Sequence, residues 1–128
     1  MTVVRIVRIL FGLMLLVFFA MGLGLFGWAP PVASEAGRPL QDAIAGSGYI
    51  LPIIQATYLF AGVSYLANRY VALASVILFP VSVNILLYHL FLDPGGVTLL
   101  AALALFLPNL FMLYVCRAAY APLLKSRM

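Results

Sequence analysis

Four long apolar runs, none of which contains Asp, Glu, Lys or Arg, dominate the chain. A helix needs about 20 apolar residues to cross roughly 30 Å of hydrocarbon, and each run is close to that length. Because lipid offers the backbone no hydrogen-bond partner, such segments are expected to be helical throughout. The pattern therefore predicts four transmembrane helices, at residues 9–28, 49–67, 71–92 and 97–116.

The links between the last three runs are short. Residues 68–70 and 93–96 leave room only for tight turns, so consecutive helices are expected to be antiparallel neighbours. We therefore expect one transmembrane domain over residues 1–128, an all-α integral membrane four-helix bundle surrounded by the lipid bilayer.

Composition favours a membrane protein and excludes several other classes. Only 8% of the residues are charged, 66% are hydrophobic and the mean hydropathy is +1.20, whereas about a quarter of an ordinary soluble domain is charged. The net charge of +4 does not indicate a nucleic-acid-binding protein, because the cations lie at the edges of the apolar runs. One cysteine and one histidine are too few for an internal disulfide or a structural metal site.

The cations are distributed unevenly between the two ends of the predicted bundle. Cytoplasmic segments retain Lys and Arg, so the cation-rich end is expected inside the cell. The opposite end holds Arg38 together with all three acids of the chain, Glu35, Asp42 and Asp93. We therefore expect a multi-pass protein of the cytoplasmic membrane with both termini in the cytoplasm. The cations of the inner end are Arg5, Arg8, Arg69, Arg117, Lys125 and Arg127.

The first run has a second interpretation, a secretory signal peptide, because two arginines precede it and small residues follow it. A signal h-region is about 7 to 15 residues long, whereas this run continues for about 20 residues, up to Trp28. A membrane helix is therefore favoured. Ala20, Gly24 and Gly27 would give this helix a small-residue face that a neighbouring backbone can approach closely.

The longest link, residues 29–48, is expected outside the cytoplasm and contains a short amphipathic segment. Pro39 suits a first helical position and Gly46 suits a helix stop, which predicts a helix over residues 39–45. Apolar residues at i, i+3 and i+4 would let this extracytoplasmic helix lie on the membrane surface or cap the mouth of the bundle. A lid without a chemical role is the simpler interpretation.

Polar residues inside the runs are the candidates for function, because they are costly in lipid and tend to face the interior of a bundle. In the second run, Gln55 and Tyr58 begin a polar face that continues at helical spacing to Tyr65. At 1.5 Å per residue Gln55 and Asn84 lie about 9 and 12 Å deep, so the two side chains could meet. The competing interpretation is interhelical hydrogen bonding that holds the bundle together, at about 0.6 kcal/mol per contact.

His89 lies near the outer end of the third run, four residues before Asp93. An imidazole and a carboxylate at i and i+4 can meet on one helix face, and such a pair can handle protons near neutral pH. Pro94 and the two glycines after it are expected to end the helix there. We expect His89 to point into the bundle or toward the long loop, with a hydrogen-bond partner. An interfacial anchor without a proton role is the alternative.

The sequence contains no phosphate-binding loop, no nucleophile triad and no pair of intramembrane carboxylates. These absences disfavour a self-contained enzyme or ion pump. The pattern leaves open whether the chain takes part in a reaction, and any electron carrier would come from a partner.

Three segments together are distinctive: residues 5–12 (RIVRILFG), 46–52 (GSGYILP) and 84–94 (NILLYHLFLDP). They resemble the DoxX family of small bacterial and archaeal membrane proteins, and the resemblance covers almost the whole chain. The last segment is the most specific, because hydrophobicity does not demand its Asn, His and Asp-Pro. The resemblance implies a four-helix membrane fold and, for some members of the family, an association with quinone-linked sulfur oxidation or with membrane oxidoreductase assemblies.

Two hypotheses of different classes follow. The first is a redox-associated membrane subunit in which a cavity holds a quinone head group while partner subunits of a membrane oxidoreductase supply the electron carriers. The second is a non-catalytic structural or small-solute-handling protein without a redox ligand. Relatives often carry a glutamate in the second helix where Tyr58 stands here, which argues against a carboxylate-based proton role. The residues expected to bound the quinone-like cavity are Gln55, Tyr58, Asn84 and His89.

Overall fold

The computed structural model describes residues 1–27 and 33–127, and this part of the chain is helical with short links. Four of the described helices, Thr2–Gly22, Ile50–Ala67, Val71–Phe91 and Gly96–Val115, are long and apolar enough to cross a membrane. The predicted all-α bundle is therefore confirmed. In chain order the elements are α1 (Thr2–Gly22), a 3₁₀ turn (Leu25–Gly27), α2 (Arg38–Gly46), α3 (Ile50–Ala67), α4 (Val71–Phe91), α5 (Gly96–Val115), α6 (Arg117–Tyr120) and a second 3₁₀ turn (Ala121–Leu124).

The bounds of α3, α4 and α5 agree with the apolar runs to within one residue at each end, but the bounds predicted for α1 are wrong. This helix begins at Thr2. The prediction started it later, because hydropathy finds only the stretch suited to lipid and does not show that charged residues extend the same helix. It ends at Gly22, shortly before Gly24 takes a left-handed φ of +76° that stops the helix. Trp28, the predicted end, lies outside the described residues.

The long helices pack as two pairs. The most extensive contacts join α1 to α3 and α4 to α5, and contacts between α3 and α4 hold the pairs together. Large apolar side chains on the outer faces, such as Leu10, Val17, Leu100 and Leu107, remain exposed, as side chains that contact lipid do.

Glycines allow α1 and α3 to approach closely. A Cβ atom on Gly12 would lie 3.1 Å from the carbonyl oxygen of Gly62, and a Cβ atom on Gly62 would lie 3.1 Å from that of Gly12. The small-residue face predicted from Gly24 and Gly27 is wrong, because both follow the end of α1 and a Cβ atom there would meet nothing within 4 Å. The close contact therefore forms nearer the middle of α1.

The polar face of α3 points inward, toward α1. The Tyr65 ring lies 5.1 Å from the Phe11 ring, and the Tyr58 ring lies 6.0 Å from the Phe18 ring, measured between centroids. Both tyrosines are buried. The inward orientation predicted for Tyr58 and Tyr65 is confirmed.

Two ends of the bundle can be distinguished. The loop end carries α2 and the link between α4 and α5, and the terminal end carries the first turns of α1, the link between α3 and α4, and α6. The short helix α2 is confirmed, with Pro39 in its first turn, and none of its residues is buried.

Candidate functional site

At the loop end, Ser34 ties the segment before α2 to the end of α4. Its hydroxyl donates to the carbonyl oxygen of Leu92 at 2.5 Å, and its backbone N–H donates to Oδ1 of Asp93 at 3.2 Å. The Ser34 hydroxyl also accepts a bond from the backbone N–H of Gly37 at 3.2 Å. These contacts hold the described part of the long loop, at residues 34–37, against the end of α4, so Asp93 lies near the loop as predicted.

Tyr88 makes a second contact across the same junction. Its hydroxyl donates to the carbonyl oxygen of Gly37 at 3.4 Å, a long hydrogen bond. A Cβ atom on residue 37 would lie 2.6 Å from that hydroxyl oxygen, so the tyrosine approaches a position that only glycine fits without displacement. The absence of a side chain on Gly37 therefore leaves room for the Tyr88 hydroxyl beside the loop.

His89 lies beside Tyr88 at this junction. The two rings meet edge to face, with centroids 5.0 Å apart and an interplanar angle of 86°. Nδ1 of His89 is buried and has no hydrogen-bond partner among the described residues. A buried polar atom without a partner costs about 1 to 3 kcal/mol, so this imidazole nitrogen is available for a hydrogen bond that the described chain does not supply.

The partner predicted for His89 is therefore wrong. Helix α4 ends at Phe91, so Asp93 lies beyond the helix and the i,i+4 face that would join the two side chains is interrupted. The Asp93 carboxylate instead accepts the N–H of Ser34. The loop therefore supplies the partner of Asp93, and the spacing of residues within α4 could not have predicted this contact.

Gln55 and Tyr58 lie in a different place, at the interface of α3 with α1. The side-chain amide of Gln55 occupies the space beside Gly22, where an added Cβ atom would lie 1.8 Å from Nε2. Its Oε1 atom is buried and, in the part of the chain that the structure describes, has no hydrogen-bond partner. Tyr58 packs against Phe18 farther along the same interface.

Asn84 is exposed, so the prediction that it faces the interior is wrong. Its Nδ2 atom donates to the carbonyl oxygen of Pro80, one turn earlier in the same helix, at 2.8 Å. This local bond gives one N–H of the amide a partner within its own helix. No hydrogen bond within residues 1–27 and 33–127 joins Gln55, Tyr58, Asn84 and His89 into the single predicted cavity.

A buried polar network that the sequence did not assemble joins α3, α4 and α5. Asn109 is fully buried, and its Nδ2 donates to the Ser75 carbonyl oxygen at 3.0 Å. The Ser82 hydroxyl shares its one proton between Oδ1 of Asn109 and the Phe79 carbonyl oxygen, each 2.9 Å away. The Tyr65 and Ser75 hydroxyl oxygens lie 2.7 Å apart. Since Ser75 has one hydroxyl proton and directs it to Val71 at 2.8 Å, Tyr65 is the donor in this pair.

A sequence signal for part of this network existed. Ser75 and Ser82 are seven residues apart, which places both hydroxyls on one face of α4. Both serines and Asn109 are fully buried. The network that we define as Tyr65, Ser75, Ser82 and Asn109 has its polar atoms paired, so it is suited to holding helices together.

The loop end and the network thus offer different chemistry. Nδ1 of His89 and Oε1 of Gln55 are the buried side-chain atoms without partners among the described residues. These residues contain no cluster of His, Cys, Asp and Glu that could hold a metal ion. Comparison of the chain with protein-family models, with curated proteins and with solved structures found no match.

Proposed function

We propose that this protein is a DoxX-like, quinone-linked subunit of a membrane oxidoreductase system, with His89 as the residue that contacts the quinone head group. The observation that supports this proposal is the buried Nδ1 atom without a hydrogen-bond partner among the described residues. The resemblance of residues 84–94 to the DoxX family supports the same assignment. The proposed site contains fewer residues than the four-residue cavity predicted from the sequence. It is limited to His89 and Tyr88 at the loop end.

The chemistry of imidazole suits both states of such a ligand. A neutral imidazole offers one N–H donor and one acceptor nitrogen, and either nitrogen can carry the proton. Nδ1 could therefore donate to a quinone carbonyl oxygen or accept from a quinol hydroxyl. Tyr88, whose own bond to Gly37 is 3.4 Å long, would border the head group beside His89. The electrons would come from a partner subunit.

Gln55 is a second position at which a polar ligand atom could bind. Its Oε1 accepts hydrogen bonds only, so it would suit a quinol hydroxyl and not a quinone carbonyl. His89 can bind either form, so the proposal places the head group at His89.

A non-catalytic structural protein is the second candidate. It is favoured by the buried polar network, in which Asn109 joins α4 and α5 through two hydrogen bonds. In this alternative His89 only anchors the end of α4, and no redox ligand binds.

We further propose that the terminal end lies in the cytoplasm and that the bundle spans the cytoplasmic membrane. The uneven distribution of arginines supports this orientation. A fluorescent protein fused to the C-terminus should be bright, and a C-terminal alkaline phosphatase fusion should be inactive. An active phosphatase fusion would contradict the orientation.

The decisive experiment for the function is chemical extraction. The full-length chain is purified in mild detergent and extracted with organic solvent, and quinone is measured against protein. The proposal expects stoichiometric quinone in the native protein, a several-fold loss in His89→Gln, and no loss in the control Asn84→Ala, which alters an exposed side chain of the same helix. Absence of quinone from the native protein, or equal content in His89→Gln, would favour the structural alternative.

A further inference from the structure

A cavity of about 320 Å³ lies at the terminal end of the bundle, far from His89. It opens between the first turns of α1, the link between α3 and α4, and the end of α5. Its volume falls within the roughly 300–1,000 Å³ that is typical of ligand pockets. Among the residues that line it are Arg5, Arg8, Asn68, Val71, Met112 and Cys116.

Arg8 is fixed in the wall of this cavity by the end of α3. Its Nη1 atom donates to the carbonyl oxygen of Tyr65 and, at 3.5 Å, to that of Leu66. Both carbonyls belong to the last turn of α3, where the helix dipole favours a cation. The guanidinium is thereby held at the cavity, and among the described residues its other nitrogens have no hydrogen-bond partner.

Arg5 brings a second positive charge to the same cavity. It lies three residues before Arg8 in α1, so the two side chains share a helix face. Arg5 is exposed. All three acids of the chain belong to the loop end: Glu35 and Asp42 lie in the long loop and in α2, and Asp93 follows α4. The cavity is therefore strongly positive.

Apart from the two arginines and Asn68, most of the wall is apolar. Val71, Met112 and Val115 line the cavity at the ends of helices that are apolar enough to cross a membrane. Such an arrangement suits a charged amphiphile at the membrane surface. The two guanidinium groups match its anionic head, and the apolar wall matches its hydrocarbon part. We propose that this cavity binds an anionic phospholipid, whose phosphate contacts Arg5 and Arg8 and whose glycerol backbone and upper acyl chain lie along the apolar wall.

The test measures lipid binding by the full-length chain in a mild non-ionic detergent. Native mass spectrometry follows titration with phosphatidylglycerol and, separately, with phosphatidylcholine of the same acyl chains. We expect phosphatidylglycerol to bind more tightly. Arg5→Gln should weaken its binding by roughly fivefold, because one arginine near an anionic lipid contributes about 1 kcal/mol. Arg5→Lys should retain most of the binding, and neither substitution alters a buried side chain.

Arg117→Gln is the matched control. Arg117 belongs to the terminal end but lies outside the residues that line the cavity, stacks 4.3 Å above the Tyr114 ring and donates to the Tyr114 carbonyl oxygen at 3.0 Å. Arg117→Gln removes the same charge as Arg5→Gln but at a position outside the cavity, so the phosphatidylglycerol affinity of this variant should stay unchanged. Equal affinity for the two lipids, or an equal loss in Arg5→Gln and Arg117→Gln, would overturn the proposal. Displacement of the lipid by millimolar inorganic phosphate would also overturn it, in favour of a water-soluble anion.

Cys116 supplies an independent measure of where the lipid binds. It is the one cysteine of the chain and lines the cavity, so its alkylation by N-ethylmaleimide reports on that position without engineering. Burial raises the pKa of this thiol, so all rates are compared at one pH. Phosphatidylglycerol should slow the alkylation of the native protein severalfold, and Arg5→Gln should need roughly fivefold more lipid for the same slowing. Equal slowing in both proteins would place the lipid elsewhere.

Discussion

The buried polar network and the loop end differ in how completely their polar atoms are paired. In the network, both ends of the Asn109 amide and the Tyr65 hydroxyl have partners on neighbouring helices. At the loop end, Nδ1 of His89 is equally hidden from solvent and has no partner among the described residues. Since lipid and protein interiors both penalise an unpaired polar atom, the first arrangement is expected from packing alone and the second is not.

This difference separates polar residues that hold the bundle from polar residues that await a ligand. Both kinds occur inside apolar runs, so residue type alone does not distinguish them. The distinction predicts opposite responses to truncation. Loss of a paired group should destabilise the bundle, and loss of an unpaired group should not.

Asn109→Ala should have the largest effect. It removes two interhelical hydrogen bonds and leaves a cavity, and we expect a loss on the order of 2 kcal/mol in the free energy of unfolding. Unfolding in mixed micelles of mild detergent and dodecyl sulfate would measure it. Asn84→Ala is the matched control, because that amide is exposed and bonded within its own helix. Similar losses in the two variants would remove the distinction between paired and exposed amides.

Gly37→Ala should disturb the loop end and lower the free energy of unfolding by about half as much as Asn109→Ala. A Cβ atom would lie 2.6 Å from the Tyr88 hydroxyl, so the ring must move, at about 1 kcal/mol as for other overpacked sites. The shift should also lower the quinone content, since Tyr88 contacts His89. Gly46→Ala, where a Cβ atom meets nothing within 4 Å, is the control and should change neither quantity. An unchanged quinone content in Gly37→Ala would show that Tyr88 is not part of the quinone site.

Tyr65→Phe should have a smaller effect. It removes only the hydroxyl that bonds Ser75 and keeps the ring packed on Phe11, so about 0.6 kcal/mol is expected from the same unfolding measurement. Tyr114→Phe, at an exposed position, serves for comparison. An effect as large as that of Asn109→Ala would show that the network acts as one unit, not as separate bonds.

His89→Leu should have the smallest effect on the ligand-free protein. It replaces an unpaired buried nitrogen by an apolar group, so stability should be unchanged or slightly higher. A loss comparable to that in Asn109→Ala would mean that His89 belongs with the packing residues, and it would favour the structural alternative.

Much of the fold could be predicted because a membrane helix can be recognised in the sequence from its length and its apolar composition. The runs for α3, α4 and α5 matched the structure closely. The start of α1 could not be found in this way, since Arg5 and Arg8 are helical without being apolar. Its end depended on the backbone of Gly24, which hydropathy does not register.

The candidate site was less predictable because it depends on how each helix is rotated. Asn84 and Ser82 are two residues apart in α4, yet Ser82 is buried against Asn109 and Asn84 is exposed. Because hydrophobicity is nearly uniform around this helix, the sequence does not show which of the two residues faces the interior. The contact of Ser34 with Asp93 depends on how the loop folds back, which spacing within α4 cannot reveal. The position of His89 at the loop end, in contrast, followed directly from the sequence.

The most direct test of the central claim is the stabilisation of the protein by a short-chain quinone. A ligand that binds only the folded state raises its apparent stability in proportion to its affinity. We predict that the quinone raises the unfolding temperature of the native protein and of Asn84→Ala, and leaves that of His89→Leu unchanged. An equal rise in the native protein and His89→Leu, or no rise in the native protein, would contradict the assignment of the unpaired imidazole to a quinone site.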